Sequence, residues 1–143
     1  MSPIAITGIL GIDHVGIAVA DLAEALAYYQ RNFGGRLLHS EENHEQGVAE
    51  AMVAIGDQPG TVIQLLAPLT PDSTIARFID RHGPGMQQLA FRTSDVRKAA
   101  EEARALGIRT LYDEPKRGTK GAWINFLHPK DCGGVLIELI EGS

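Results

Sequence analysis

A repeat with a constant offset of 74 residues runs through most of this chain and limits its possible folds more than any other feature. Residues 11–38 align with residues 85–112 without a gap, and polar as well as apolar positions follow the offset. Two copies of about half-domain size are expected to share one interior. We therefore predict a single domain over residues 1–143 that is built from two similar modules, 11–68 and 85–141.

Four polar side chains occupy equivalent positions in the two copies. The offset carries His14 onto Gln88 and Gln64 onto Glu138. In a two-fold arrangement of such modules, these side chains can meet at one point near the axis, as a metal ion requires. One imidazole, one carboxylate and two amide oxygens form a mostly hard ligand set, which suits cobalt, manganese, magnesium or nickel. Such a metal would keep two octahedral positions for substrate oxygens and act as a Lewis acid on them.

Length and composition narrow the range of functions. A chain of 143 residues is close to one typical domain, and its net charge of −5 argues against a nucleic-acid partner. The single cysteine, Cys132, excludes an internal disulfide and is typical of a reducing compartment. The apolar segment 4–10 is far shorter than a membrane span and lacks the basic flank of a signal peptide. We expect a cytoplasmic protein without a membrane partner.

Hydrophobic periodicity and capping residues predict a strand, a helix and three strands in each copy. The predicted elements of the first copy are strands over 12–19, 36–41, 48–55 and 61–67, a helix from Asp21 to Gly34, and a tight turn at 56–60. The predicted elements of the second copy are strands over 86–93, 108–112, 122–127 and 134–140, and a helix over 95–106 that ends at Gly107. Between the copies, Asp72 is expected to cap a short helix over 72–82 that Gly83 ends.

Strand parity places Glu50, Gln64 and Glu138 each on an otherwise apolar face, because residues two apart in a strand point the same way. Each is then either an exposed residue whose register is misread, or a buried polar group that needs a partner. The equivalence of Gln64 and Glu138 in the repeat favours burial. Gln87 and Gln88 point to opposite faces, so either of these two glutamines can be the solvent-exposed one.

The chain resembles the methylmalonyl-CoA epimerases, a branch of the vicinal-oxygen-chelate superfamily that also holds glyoxalase I, bleomycin-resistance proteins and extradiol dioxygenases. Residues 13–19 indicate only the superfamily, whereas residues 41–52 and 112–130 are specific to the epimerase branch. The resemblance covers nearly the whole chain. It implies an α+β fold in which paired βαβββ modules form a curved cleft around a divalent metal, and it implies a homodimer.

The resemblance also implies which residues bind the metal. The family's ligands correspond to His14, Gln64 and Glu138, and Gln88 stands where family members usually carry a ligand histidine. An amide oxygen is a weaker and harder donor than imidazole. The replacement is therefore expected to lower the affinity for the metal and to change which metal is preferred. Co²⁺ is the first expectation, and Zn²⁺, Mn²⁺, Ni²⁺ and Mg²⁺ are the alternatives.

The family's chemistry implies roles for two carboxylates. Removal of the C2 proton of methylmalonyl-CoA gives an enolate, which a metal that chelates both oxygens would stabilise. Glu50 matches the family's catalytic glutamate, and the resemblance suggests Glu138, or a group near it, as the second acid/base. Ile124 is the repeat equivalent of Glu50, so the second copy has no acidic residue at that position.

The basic residues Lys116, Arg117 and Lys120 lie in a glycine-punctuated loop of an otherwise acidic chain. They are candidates for binding the phosphates of the acyl-CoA substrate, although basic residues in a surface loop are often simply solvated.

The sequence also bears on three other functions. A glyoxalase-type lyase would use similar proton transfer on a thiol adduct and stays open. A binding module of the bleomycin-resistance type would need neither the metal ligands nor Glu50. An extradiol dioxygenase would need two histidines and one carboxylate on iron, and only His14 of the predicted ligands is a histidine.

Overall fold

The computed structural model describes residues 5–57, 60 and 62–142. Within them the chain forms eight β-strands and three α-helices, which confirms an α+β fold. The chain divides into two compact units. One is His14–Gln87, the 14–87 unit. The other, the 88–142 unit, begins at Gln88 and also includes the residues up to Asp13.

The strands are β1 (Ile9–Ala18), β2 (Arg36–Asn43), β3 (Val48–Ala54), β4 (Val62–Pro68), β5 (Gly85–Thr93), β6 (Lys116–Arg117), β7 (Trp123–Leu127) and β8 (Ile137–Glu141). The helices are α1 (Leu22–Phe33), α2 (Thr74–His82) and α3 (Val96–Ala105). Single 3₁₀ turns lie at Thr119–Gly121 and Pro129–Asp131.

In the 14–87 unit the strands lie in the order β2, β3, β4, β1, with β1 parallel to β4 and the other neighbours antiparallel. Helix α1 packs on one face of this sheet, where Ala51, Val53 and Leu65 are almost fully buried beneath it. Both predicted ends of α1 are confirmed. The Asp21 carboxylate accepts from the backbone N–H of Glu24 at 2.9 Å, and Gly34 ends the helix in the left-handed conformation.

Helix α2 packs at one end of the opposite face of this sheet, against Ala18, Val48 and Leu66. Its predicted start was wrong by one residue. The cap is Ser73, whose hydroxyl accepts from the N–H of Ala76 at 3.1 Å. The side chain of Asp72 instead hydrogen-bonds with Thr70, which lowers the pKa of Asp72. The predicted end of the helix at Gly83 is confirmed.

In the 88–142 unit the strands lie in the order β5, β8, β7, β6, and β5 is parallel to β8. Helix α3 packs on one face of this sheet through Val96, Ala99 and Ala103, which contact a buried cluster that includes Leu127 and Leu139. The order of elements, a strand, a helix and three strands, therefore repeats that of the 14–87 unit, and so does the order of the strands in the sheet. The predicted βαβββ module is confirmed in each unit.

The predicted strand over 108–112 was wrong. A single bridge between Thr110 and Leu127 is formed there, and β6 is the strand that flanks β7. Two backbone hydrogen bonds flank this bridge, from the N–H of Leu111 to the carbonyl of Phe126 and from the N–H of His128 to the carbonyl of Arg109, each at 2.8 Å. Beyond them side chains satisfy the backbone: the amide of Asn125 bonds both the N–H and the carbonyl of Tyr112, and the guanidinium of Arg104 donates to the carbonyls of Tyr112 and Asp113.

The predicted turn at 56–60 lies partly outside the described residues, because residues 58 and 59 are not among them. In the part of the chain that the structure describes, no helix is long and apolar enough to cross a membrane.

Candidate active site

Strand register places His14, Glu50 and Gln64 on one face of the 14–87 sheet. Gln64 pairs with Met52 across β3 and β4 and with Gly16 across β4 and β1. Paired residues point to the same face, and so do residues two apart in a strand, so His14 and Glu50 point the same way as Gln64. This is the face opposite α1, and the predicted parity is confirmed.

All three side chains on this face are buried, with 2–3% of their surface exposed. The side-chain amide of Gln64 donates from Nε2 to Oε2 of Glu50 at 3.0 Å. A buried carboxylate without such donors would carry a large desolvation penalty, and a hydrogen bond to a charged acceptor is stronger than a neutral one. Gln64 therefore restricts the rotation of the Glu50 carboxylate and offsets part of the cost of burying it.

A second glutamine–glutamate pair lies in the 88–142 unit. Ala90 pairs with Glu138 across β5 and β8, so Gln88 and Glu138 share the face opposite α3. The amide of Gln88 donates from Nε2 to Oε1 of Glu138 at 2.8 Å. Gln88 is 9% exposed and Glu138 is 5% exposed, so the alternative in which Gln88 is a solvent-facing residue is wrong.

The two units differ at the position of the candidate base. Ile124, the repeat equivalent of Glu50, is 3% exposed and packs in an apolar cluster with Ala90 and Ile140. On this face of the 88–142 sheet, Glu138 is thus the buried carboxylate. The buried carboxylates of the two units, Glu50 and Glu138, therefore occupy different positions of the repeat.

The buried donors are suitable for a hard divalent cation. His14 provides an imidazole, Gln64 and Gln88 provide amide oxygens, and Glu138 provides a carboxylate, which are ligands that octahedral metal sites accept. Among the described residues, no three His, Cys, Asp or Glu side chains cluster closely enough to hold a metal. Such a cluster is not required here, because two of the four predicted ligands are glutamines. The four-residue site stays a prediction.

The basic side chains of Lys116 and Arg117 lie on opposite faces of the β6–β7 pair. Lys116 pairs with Ile124, which pairs with Ile140, so Lys116 lies on the face that carries Glu138. Its ammonium is 4.3 Å from the centre of the Tyr112 ring. These contacts place the charge of Lys116 beside an aromatic ring, where a cation–π attraction stabilises it.

Arg117 lies on the opposite face from Lys116. Its guanidinium stacks 3.6 Å from the centre of the Trp123 ring and donates to the carbonyl of Gly121 at 2.6 Å. Lys120 is exposed in the 3₁₀ turn and has a positive φ of 55°. The three basic residues therefore do not form one uniform patch.

Sequence reasoning missed two side chains beside Glu50. Glu41 on β2 pairs directly with Glu50 on β3, and Nε2 of His39 is 3.3 Å from Oε1 of Glu41. In the structure His39 and Glu41 are half-buried and alternate with exposed residues along β2, but the amino-acid sequence carries no signal that identifies the residue opposite Glu50.

Comparisons with known proteins agree with this fold. The model of the Glyoxalase/Bleomycin resistance protein/Dioxygenase superfamily matches residues 13–126. The human mitochondrial methylmalonyl-CoA epimerase is 38% identical over 129 residues, which cover 90% of this chain and 72% of the human protein.

Two solved structures are closely similar. The crystal structure of methylmalonyl-CoA epimerase from Mycobacterium tuberculosis has 47% identity and a TM-score of 0.90, and the match covers 100% of this chain and 93% of that one. A variant of the Streptomyces coelicolor methylmalonyl-CoA epimerase in complex with 2-nitronate-propionyl-CoA has 43% identity and a TM-score of 0.90, over 94% of this chain and 99% of that one.

Proposed function

Since the chain belongs to the methylmalonyl-CoA epimerase family of the glyoxalase/bleomycin-resistance/dioxygenase superfamily, we propose that it interconverts (2R)- and (2S)-methylmalonyl-CoA by removing and returning the C2 proton. The observation that carries this proposal is the buried carboxylate of Glu50, held by the amide of Gln64 at 3.0 Å. A carboxylate fixed in this way is suited to accept a proton from carbon, because proton transfer depends on orientation as well as basicity.

The substrate explains why a carboxylate is a sufficient base. The C2 hydrogen of methylmalonyl-CoA lies between a thioester and a carboxylate, and its removal spreads negative charge onto the thioester oxygen as an enolate. The ligand of the Streptomyces coelicolor relative, 2-nitronate-propionyl-CoA, supports this chemistry, because a nitronate is a planar carbon acid anion with delocalised charge. In our proposal Glu50 takes the proton from one face of C2.

Reprotonation from the other face requires a second carrier, and we assign it to Glu138. This carboxylate is 5% exposed and accepts from the amide of Gln88. The arrangement of Glu138 with Gln88 parallels that of Glu50 with Gln64, in that each carboxylate is oriented by a neighbouring glutamine amide. Because Ile124 occupies the repeat equivalent of Glu50, Glu138 is the strongest candidate in its unit.

Enzymes of this superfamily typically use a divalent metal. We propose His14, Gln64, Gln88 and Glu138 as its ligands, with Co²⁺ as the first expectation and Zn²⁺, Mn²⁺, Ni²⁺ and Mg²⁺ as alternatives. When bound, such a metal would act as a Lewis acid on the oxygens of the substrate. The support is the burial and chemistry of the four side chains, together with the family resemblance.

For the acyl-CoA substrate, Lys116, Arg117 and Lys120 remain the candidates for its phosphates. Lys116 lies on the face of its sheet that carries Glu138. This position makes Lys116 a stronger candidate for phosphate binding than Arg117, which lies on the other face. A homodimer and a cytoplasmic location also remain expectations, based on the family resemblance and on the single cysteine.

The function is tested by incubating (2S)-methylmalonyl-CoA with the purified protein and following the appearance of the (2R) form by chiral chromatography. A parallel reaction with the hemithioacetal of methylglyoxal and glutathione tests the lyase alternative. The proposal expects turnover in the first reaction and none in the second. Turnover of the hemithioacetal alone would establish the lyase, and tight acyl-CoA binding without turnover would favour the binding module.

A further inference from the structure

A row of polar side chains continues from the candidate base to the edge of the 14–87 sheet. The register of β2 with β3 pairs His39 with Met52 and Glu41 with Glu50, so the side chains of His39 and Glu41 point to the face that carries Glu50. Their exposure agrees: His39 and Glu41 are half-buried, whereas their neighbours Ser40 and Glu42 on the same strand are exposed.

Glu41 and Glu50 form a directly opposed pair of carboxylates. In an antiparallel ladder the Cβ atoms of such a pair are about 4.5–5.5 Å apart, and like charges at these positions repel each other. Repulsion of this kind weakens a sheet unless each charge has a partner elsewhere. The Glu41–Glu50 pair therefore lowers the stability of the sheet. We infer that a functional advantage offsets this loss.

At least one contact of each carboxylate lies on the side away from the other. Glu50 accepts from Gln64 on β4, which is the strand on the far side of β3 from Glu41. Glu41 approaches His39 on its own strand at 3.3 Å. The two atoms are in close contact but do not form an aligned hydrogen bond, since Nε2 of His39 makes none among the described residues.

We propose that Glu41, which lies beside His39, is a positioning residue for Glu50. Its negative charge keeps the Glu50 carboxylate directed toward Gln64, in the orientation that the proton transfer needs. The expected effect on catalysis rests on the proposed function of Glu50. The expected effect of Glu41 on the hydrogen bond between Glu50 and the Gln64 amide can be measured even if the protein has no epimerase activity.

The sharpest test is Glu41→Gln. The new amide removes the repulsion and offers an N–H donor to Glu50, which competes with Gln64 for the same carboxylate. A misplacement of about 1 Å can cost about 10²-fold in rate, so we expect kcat to fall by about 10-fold to 10²-fold while KM changes little. Glu41→Asp keeps the charge at this position and should restore most of kcat.

The matched control is Glu42→Gln. Glu42 is the next residue on the same strand, is exposed, and approaches His44 at 3.5 Å, so it is a similar carboxylate–histidine pair on the other face. It should behave like the unaltered protein. A purely structural role of Glu41 would lower the melting temperature of both the Gln and the Asp variants without the selective loss of kcat.

A second readout separates this inference from the proposed function. The side-chain amide signals of Gln64 in ¹H–¹⁵N spectra should shift in Glu41→Gln and stay in place in Glu41→Asp and Glu42→Gln. If the unaltered protein proves inactive, the epimerase proposal fails, and the Gln64 signals still decide whether Glu41 positions Glu50. Unchanged signals together with an unchanged kcat in Glu41→Gln would overturn the inference.

Discussion

Replacing Glu50 by glutamine removes the candidate base while preserving its shape. The new side chain fills the same buried position, and its amide oxygen can still accept from Nε2 of Gln64, which now donates to Oε2 of Glu50 at 3.0 Å. The variant therefore separates the charge and proton-accepting ability of Glu50 from its packing.

The cost in stability is expected to be small. A hydrogen bond to a charged group contributes about 1.5–3 kcal/mol and a neutral one about 0.5–1.5 kcal/mol, so the bond from Gln64 weakens by about 1 kcal/mol. Removing a buried charge opposite Glu41 acts in the other direction, because desolvation and like-charge repulsion are both relieved. The melting temperature should thus shift by no more than about 5 °C.

The cost in rate is expected to be large. A positioned general acid/base contributes about 10²-fold to 10⁴-fold, and epimerisation by Glu50→Gln should fall by this factor while acyl-CoA binding, measured by calorimetry, is retained. The assay is the chiral separation of the two methylmalonyl-CoA forms, with Glu42→Gln as the exposed control on the neighbouring strand. A near-normal rate in Glu50→Gln would refute the assignment, and a lost rate with a collapsed melting transition would assign Glu50 a structural role instead.

Three further expectations follow from single contacts. Gln88→His should bind zinc or cobalt more tightly in calorimetric titrations, because imidazole is the stronger donor; unchanged affinity would argue that Gln88 is not a ligand. Ser73→Ala should destabilise the protein by about 1 kcal/mol through loss of the α2 cap, whereas Asp72→Ala should leave that cap intact, and equal losses of melting temperature would contradict the assignment of the cap. The Arg109 guanidinium holds the pKa of Asp131 at about 2, so this pair stabilises the fold above the ordinary pKa of aspartate and loses its effect as the pH falls through about 2. Arg109→Gln should return the pKa of Asp131 toward its ordinary value in carboxyl NMR titrations, and a pKa that stays near 2 would refute this cause.

The repeat and the alternation of side chains along the strands predicted which sheet faces carry most of the candidate site residues. Glu50, Gln64 and Glu138 were expected on otherwise apolar faces, and the ladders confirm this, because a period of two leaves no freedom once the strand is identified. The exposure of Gln88 could not be decided from its neighbour Gln87, since alternation alone does not tell which face a helix covers. The metal site and the roles of its residues stay predictions.

Two features of the structure could not be predicted from hydrophobic periodicity: the loss of the strand over 108–112 and the position of Glu41. The strand expected over 108–112 is reduced to a single bridge at Thr110, because from Tyr112 onward Asn125 and Arg104 bind the backbone in place of β7. Glu41 was missed because a bulge between Leu37 and His39 shifts the register of β2 by one residue. Such a shift changes which side chain faces Glu50, and the amino-acid pattern gives no sign of it.

Deuterium incorporation at C2 of methylmalonyl-CoA in D₂O tests the central claim most directly, because it detects proton transfer whatever the final mixture of epimers. The unaltered protein, loaded with Co²⁺ or treated with a chelator, would be followed by mass spectrometry or NMR. The account predicts exchange far above the spontaneous rate with metal and its loss after chelation. Absence of exchange with Co²⁺, Zn²⁺, Mn²⁺, Ni²⁺ and Mg²⁺ alike would contradict the epimerase chemistry, and full exchange after chelation would contradict the proposed role of the metal.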